Sequence, residues 1–212
     1  MNKTKKLKAF TLAEVLLTLG IIGCVAAMTF PSLKMGIDSK ANIITLKKFY
    51  SEFSNATNIL MSEYSEPLYW GLKDNNAAAA DWVMARYNER LNIQRICGAS
   101  DSTCFYFPIK SYRNGSNAIT AAQYRSWSLR GFVLTNGVTG FVDVNNGNFS
   151  MFFDVNGFKG PNTLGVDIFA WAVNADGAIV RYSDPSLGGS GNDNPEYNYA
   201  FDIMEHGWVK TY

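Results

Sequence analysis

An almost unbroken apolar run between Lys8 and Pro31, KAFTLAEVLLTLGIIGCVAAMTFP, constrains this chain more than any other feature. As a helix, the 21 residues from Phe10 to Phe30 would span about 31 Å, enough to cross the hydrocarbon core of a membrane. The run contains one carboxylate, Glu14. A carboxylate at the bilayer centre costs roughly 2.5 to 3.5 kcal/mol, and less near the interface. Glu14 therefore requires a binding partner or a functional role that offsets this cost.

Charge is distributed unevenly along the chain, because Lys3, Lys5, Lys6 and Lys8 all precede the apolar run. The remainder has 15 basic and 18 acidic side chains, a net charge of about −3, and no basic patch that would attract nucleic acid. Lysines beside an apolar helix stay on the cytoplasmic side of the membrane. Everything after Pro31 is therefore expected across the inner membrane.

Two ordinary kinds of signal share this arrangement of charge and apolar residues. A secretory signal would be cut after Ala27 and leave Met28 as the first residue. A lipoprotein signal would be lipidated at Cys24, which follows Ile-Ile-Gly. Either would make the chain an anchored or secreted ligand-binding module with a β-rich head. Neither uses Glu14, because the apolar core of a cleaved signal gains nothing from a carboxylate.

The stretch KAFTLAEVLLTLGIIG resembles the class III signal of the type IV pilin superfamily, which includes the pseudopilins of type II secretion. The resemblance implies that an aspartyl prepilin peptidase removes residues 1–9 as a basic leader, cutting between Ala9 and Phe10, and that Phe10 is then methylated. Glu14 falls on the fifth mature residue, where the family has Glu. Pro31 falls on the twenty-second, where pilins commonly have a helix-kinking proline. Ala9 departs from the usual Gly but is still small, so cleavage is expected with lower efficiency.

Cleavage would leave an ammonium group on Phe10, and Glu14 lies one helical turn along on the same face. In a low dielectric these opposite charges attract far more strongly than in water. The resemblance implies that Glu14 of an incoming subunit neutralises the N-terminal ammonium of a subunit already in a filament. The implied partners are prepilin peptidase, other pilin or pseudopilin subunits and an inner-membrane assembly platform. The implied location is the inner membrane, crossed once with the head in the periplasm, and then a pilus or pseudopilus.

Beyond Pro31 the pattern becomes amphipathic, with apolar residues at three- and four-residue steps from Leu46 to Leu60. One long helix is expected from about Thr11 to Tyr64, with a transmembrane half at 10–30 and an amphipathic half at 31–65. Residues 66–212 are expected to form a globular α+β head. The stretch NNAAAADWVMARYNERLN predicts a second helix whose start Asp81 could cap.

After Gly131 the sequence is typical of β-structure. Five short β-branched and aromatic runs alternate with the turn signals NG, NNG and ADG. The C-terminal stretch EYNYAFDIMEHGWVKTY predicts a short helix stopped at Gly207 and then a terminal strand, and the preceding DPSLGGSGNDNP predicts a flexible loop. The predicted fold is α+β and pilin-like: a long N-terminal helix, transmembrane in its first half, packed on a C-terminal antiparallel sheet of four or five strands.

Cys97 and Cys104 are close enough in sequence to close a short loop, and the predicted compartment permits disulfides. A disulfide between them is the simplest interpretation. A reduced or metal-bound pair is the alternative. Zinc would require two more ligands, and the candidates that remain are His206, the single histidine, and Cys24 in the apolar run.

No catalytic constellation stands out in the sequence, and an enzyme is not expected. His206 beside Gly207 is interpreted as a helix-terminus residue. Exposed aromatic side chains could serve a binding module, although Trp in a β-rich head more often packs in the core; the candidates are Trp127, Trp171 and Trp208.

One stretch, DVNGFKGPNTLGVD, offers hard oxygen ligands of the kind that calcium prefers, from Asp154, Asn156 and Asp167. Major pseudopilins carry calcium in a loop of their β region, so the resemblance adds weight to this interpretation. Only the first half resembles an EF-hand loop, however, and no Glu closes it. The alternative is a rigid turn in which Asp and Asn side chains bond to backbone amides.

Overall fold

The computed structural model describes residues 10–67, 70–72, 77–127, 129–145, 147–184, 187 and 194–212. The predicted leader, with Ala9 at the cleavage junction, and most of the predicted loop DPSLGGSGNDNP lie outside the described residues. The chain divides into two compact units, one up to Lys40 and one from Ala41 to Tyr212. From here on, the head means this second unit, which begins earlier than the predicted head at 66–212.

Within the described ranges, the helices are α1 (Leu12–Tyr64), α2 (Ala77–Asn88), α3 (Ala121–Ser126) and α4 (Tyr199–Glu205). The strands are β1 (Ile93–Cys97), β2 (Ile109–Lys110), β3 (Asn117–Ile119), β4 (Arg130–Leu134), β5 (Thr139–Asn145), β6 (Asn148–Asp154), β7 (Ile168–Val173) and β8 (Ile179–Val180).

Six strands form an antiparallel sheet in the order β1-β4-β5-β6-β7-β8, and β2 pairs with β3 in a small second sheet. The long N-terminal helix and the antiparallel sheet confirm the predicted α+β fold. Strands β4 to β8 are the five runs read from the sequence after Gly131, in chain order. Strand β1, which pairs with β4 at the sheet edge, was not predicted.

One face of the sheet packs on the part of α1 that belongs to the head. Phe49 and Phe53 lie four residues apart, on the same side of α1. The ring of Trp171 in β7 lies 5.5 Å from that of Phe49, 5.3 Å from that of Phe53 and 4.1 Å from that of Phe153, between centroids. All four side chains are fully buried. This aromatic cluster joins α1 to the sheet, and it makes Trp171 a core residue that is not available to a ligand.

The opposite face of the sheet is also covered. Phe152 and Phe153 are consecutive in β6 and point to opposite faces, so they belong to two different hydrophobic clusters. Phe152 stacks on Phe141 of β5 with centroids 5.0 Å apart, and Tyr124 of α3 packs edge-on against Phe141. The segment from Phe105 to Leu129 therefore forms a second layer. Every residue of β6 and β7 is buried as a consequence.

Two local predictions were wrong. Asp81 does not cap α2, because the helix begins earlier, at Ala77. Asp81 lies inside the helix, and its two carboxylate oxygens accept hydrogen bonds from Nε and Nη2 of Arg130. Helix α4 ends before Gly207, at φ +70°, as expected, but no strand follows among the described residues 208–212. The tail instead docks through Tyr212, whose ring stacks 3.9 Å from that of Tyr199 and whose hydroxyl donates to the Gly165 carbonyl.

A disulfide joins Cys97 at the end of β1 to Cys104 in the one-turn 3-10 helix Ser102–Cys104, which confirms the predicted pair. Both cysteines are buried. The loop between them is also held by Arg95, which donates to Asp101 at 3.0 Å. The bridge thus ties the edge strand to the layer that covers the outer face of the sheet.

We expect the double substitution Cys97→Ser with Cys104→Ser to lower the free energy of unfolding by about 2 to 3 kcal/mol, because the unfolded chain regains the entropy of an open loop. Denaturant unfolding of the full chain in detergent measures this change. Cys24→Ser, in the apolar helix, is the matched control and should leave stability unchanged. Alkylation of exported protein without reductant should label Cys24 alone; labelling of Cys97 and Cys104 would contradict the bridge.

Candidate functional site

The N-terminal part of α1 presents its apolar side chains outward. Every Leu, Ile, Val, Met and Phe side chain between Phe10 and Lys40 is at least 42% exposed. Soluble proteins rarely leave a continuous apolar surface of this size in water. Within the described part of the chain, α1 is the one helix long and apolar enough to cross a membrane. Lipid or other protein chains must therefore cover this surface.

Glu14 takes part in a capping box at the start of α1. The Thr11 amide and the Thr11 hydroxyl both donate to Glu14 Oε2, at 2.8 and 2.9 Å, and the Glu14 amide donates to Thr11 Oγ1 at 3.2 Å. This reciprocal pair satisfies two amides that a helix otherwise leaves unpaired at its first turn. The carboxylate is solvent-accessible in the single chain. Glu14 thus has a local structural role besides the one that the resemblance implies.

The capping box has a signal in the sequence. Thr11 and Glu14 are the ends of TLAE, which matches the pattern of Ser or Thr followed three residues later by Glu. The cap fixes the position of the carboxylate relative to the helix axis. Because a carboxylate has about four acceptor sites, Glu14 retains sites for a second donor while Thr11 is bound.

The other predicted residues of this segment are Phe10 and Pro31. Phe10 is the first described residue and is 85% exposed. Pro31 lies inside α1, which continues through it, and Pro31 has no N–H to donate to the carbonyl four residues earlier. A kink at Pro31 remains a prediction.

A second candidate site is the turn that contains Asp154, Asn156 and Asp167, which the structure does bring together. The Asn156 amide donates to Asp154 Oδ1 at 3.0 Å. The amides of Asn162 and Thr163 donate to the two oxygens of Asp167, at 2.9 and 2.7 Å, and Asn156 Nδ2 donates to Asp167 Oδ2 at 3.2 Å. Both carboxyl groups are completely buried.

Burial changes the ionisation of these two carboxyl groups. It raises the pKa of Asp154 to about 8, and the nearby charge of Asp167 adds to the effect. Burial likewise raises the pKa of Asp167, although hydrogen bonds from four N–H donors oppose the change. Two like charges enclosed at one place are unfavourable, so the pair favours a proton or a cation between its members.

The arrangement of donors favours the turn interpretation over a calcium site. The carboxylate oxygens accept hydrogen bonds from backbone amides, and Asn156 presents its amide nitrogen to Asp167 rather than an oxygen. Calcium is held by six to eight oxygens, so it would have to displace these donors. Within the described residues, no group of three or more His, Cys, Asp or Glu side chains is placed to hold a metal ion.

We expect millimolar calcium to leave the melting temperature of the full chain in detergent unchanged, because the hydrogen bonds of the turn already occupy the carboxyl oxygens. Thermal unfolding with calcium and with a chelator provides the measurement. A melting temperature that rises steadily with calcium concentration would show a binding site. In that case Asp167→Asn should abolish the rise.

The other residues singled out in the sequence are His206, Cys24, Trp127 and Trp208, and each lies in a different local environment. His206 caps α4, and its Nδ1 lies 2.7 Å from the Asp202 carbonyl. Cys24 is exposed on the apolar part of α1. Trp127 is 49% exposed at the end of α3, whereas Trp208 is half-buried against Tyr50 and under Lys47.

Comparisons with protein-family models, curated protein sequences and solved structures found no match to this chain.

Proposed function

We propose that this chain is a pilin-like structural subunit that prepilin peptidase processes before Phe10 and that assembles into a type II secretion pseudopilus or a type IV pilus. One observation carries the proposal. The helix α1 exposes an apolar surface from Phe10 to Phe30 that a single carboxylate interrupts, four residues after the predicted new N-terminus. A membrane anchor alone would use that carboxylate only in the capping box with Thr11, whereas a packed filament would also use its charge.

Before assembly the precursor would cross the inner membrane once. The lysines of the leader stay cytoplasmic by the positive-inside rule, and the head is then in the periplasm. The disulfide in the head is consistent with an oxidising compartment. In the filament, the exposed apolar face of α1 exchanges contact with lipid for contact with the helices of other subunits.

The chemistry proposed for Glu14 is charge neutralisation between subunits. Cleavage converts the Phe10 amide nitrogen into an ammonium group, which is unfavourable in the low dielectric of packed apolar helices. Glu14 of the next subunit supplies the opposite charge. The capping box with Thr11 holds the carboxylate in place before the subunit arrives.

We expect mass spectrometry of the mature protein to find Phe10 as the first residue, with a methylated amine. The measurement separates the three kinds of signal, because each leaves a different N-terminal group. A lipidated Cys24 would instead show a lipoprotein, and Met28 a secreted protein; either result would contradict the proposal.

The role of Glu14 is tested by three substitutions that separate its charge from its capping bond. We expect Glu14→Ala and Glu14→Gln to insert and to be cleaved normally, because removing a carboxylate favours insertion. Both should fail to enter filaments, since an unpaired buried ammonium costs several kcal/mol per contact. Thr11→Val is the matched control: it removes the capping hydroxyl, keeps the charge, and should still assemble.

Comparing inserted, cleaved and filament-incorporated protein for the wild type and each variant distinguishes the two roles of Glu14. If capping were the essential role, Glu14→Gln would assemble, because Gln also completes a capping box, and Thr11→Val would fail. Normal assembly of Glu14→Ala would remove both roles, together with the main support for a filament subunit.

A further inference from the structure

A small cavity lies on the outer face of the sheet, the face to which Phe141 of β5 and Phe152 of β6 belong. Residues two apart in a strand point to the same face. Asp143 of β5 and Ser150 of β6 therefore lie on this face, directly opposite each other in the pairing of the two strands. Ala172 of β7 is in turn opposite Ser150. Two small side chains thus leave a hollow in the sheet surface beside one carboxylate.

The walls of the cavity come from residues on both sides of this row. Tyr182, which follows β8, places its ring 5.2 Å from that of Phe152, and its hydroxyl is hydrogen-bonded to the Ser150 side chain. Asn148 and the buried Leu187 also line the cavity. The space available to the centre of a water-sized group is about 20 Å³, enough for one such group, and the cavity is partly open to solvent.

The Asp143 carboxylate at this cavity has no cationic partner. The residue is half-buried, and no cation of the described residues lies at ion-pair distance from it. Burial raises the pKa of Asp143 to about 6, so the carboxylate is charged at about pH 7.5. A carboxylate partly removed from water is stabilised most by a group that is both cationic and a hydrogen-bond donor.

The polar atoms that line the cavity include three kinds of oxygen acceptor close together. Directly opposite residues of an antiparallel pair have Cβ atoms about 4.5 to 5.5 Å apart, so Asp143 and Ser150 are within reach of one small group. The charge of Asp143 also acts on the Tyr182 hydroxyl. The bond between the Ser150 and Tyr182 hydroxyls leaves lone pairs on both oxygens, and a carboxylate only accepts.

We propose that this cavity binds a primary ammonium group, with Asp143 as its counter-ion and the hydroxyls of Ser150 and Tyr182 as its other acceptors. An ammonium group has three N–H donors and no acceptor, which matches these three side chains. The apolar side chains of Ala172 and Leu187 lie beside the carbon that carries the nitrogen. Either a small free amine or the lysine side chain of another chain can supply the group.

Two other occupants match the cavity less well. A water molecule has the right size but brings no positive charge to Asp143. Calcium is held by six to eight oxygens, whereas this cavity provides one carboxylate and room for one water-sized group.

The test measures binding of methylammonium chloride to the full chain in nonionic detergent and phosphate buffer at about pH 7.5. Saturation-transfer NMR of the methyl protons and the melting temperature are the two readouts, at an ionic strength held constant with sodium chloride. The wild type should show a saturable transfer signal and a melting temperature that rises with methylammonium concentration. Tetramethylammonium, which has the charge but no N–H donor, should produce neither effect.

Asp143→Asn should weaken methylammonium binding by about tenfold or more, because it removes a hydrogen bond to a charged acceptor. Asp176→Asn is the matched control: it removes an exposed carboxylate from the turn between β7 and β8 and should bind like the wild type. The ligand comparisons use the wild type, so the proposal stays testable even where Asp143→Asn does not fold.

Absence of a saturable signal in the wild type would overturn the proposal, as would equal binding by Asp143→Asn or by tetramethylammonium. Equal stabilisation by potassium chloride would assign the cavity to monovalent cations in general and overturn the ammonium site. Competition by Nα-acetyl-lysine amide would support a lysine side chain as the source, and binding without such competition would support a free amine. The cavity belongs to the head, so failure of this test leaves the filament proposal unaffected.

Discussion

The head depends on the packing of one face of α1 against Trp171. Phe49 and Phe53 bring two rings from the helix to this tryptophan, and β6 brings a third from Phe153. Burying large aromatic side chains of this kind stabilises a domain by about 3 to 5 kcal/mol each, as judged by truncation to Ala. Because residues alternate along a strand, placing Phe153 against α1 turns Phe152 to the other face. A second large apolar face then needs its own cover, which the segment from Phe105 to Leu129 supplies.

The sequence predicted the parts of the fold that have a simple period. The long helix and strands β4 to β8 were readable because their apolar residues repeat at helical or strand spacing between clear turn signals. Strand β1 and the outer layer were not readable, since β1 has one buried residue and is positioned by its disulfide and by pairing with β4. One signal of a second layer was present nonetheless: β7 is a continuous apolar run, IFAWAV, and β6 contains the consecutive apolar residues MFF, a pattern typical of strands buried on both faces.

The local errors arose where tertiary contacts overrode a local preference. Asp81 has the chemistry of a cap, but Ala77 to Ala80 extend α2 towards the N-terminus, and Arg130 takes the carboxylate as a partner. At the candidate site near the N-terminus, the prediction used the charge of Glu14 and did not include its capping bond to Thr11. The charge of Glu14 was explained by an expected partner subunit, while its bond to Thr11 was visible in TLAE. The motif TLAE therefore supplies both a charge and a helix cap, and the charge alone was enough to explain Glu14.

Two carboxyl sites of this chain differ in how they meet the cost of leaving water: Glu14 would leave it in a membrane or filament, whereas Asp154 and Asp167 are buried within the head. Near the start of α1, the Thr11 amide and hydroxyl donate to Glu14 and leave acceptor sites free, so under the proposed function the ammonium group of another subunit can bind there. In the head, Asp154 and Asp167 are enclosed by N–H donors of their own chain, with no cation at ion-pair distance among the described residues. An enclosed pair favours a proton or a cation between its members, and an exposed carboxylate on an apolar helix has acceptor sites for the cation of the proposed partner subunit. The enclosed pair fits a structural role within the head, and the exposed carboxylate of Glu14 fits the proposed role in assembly.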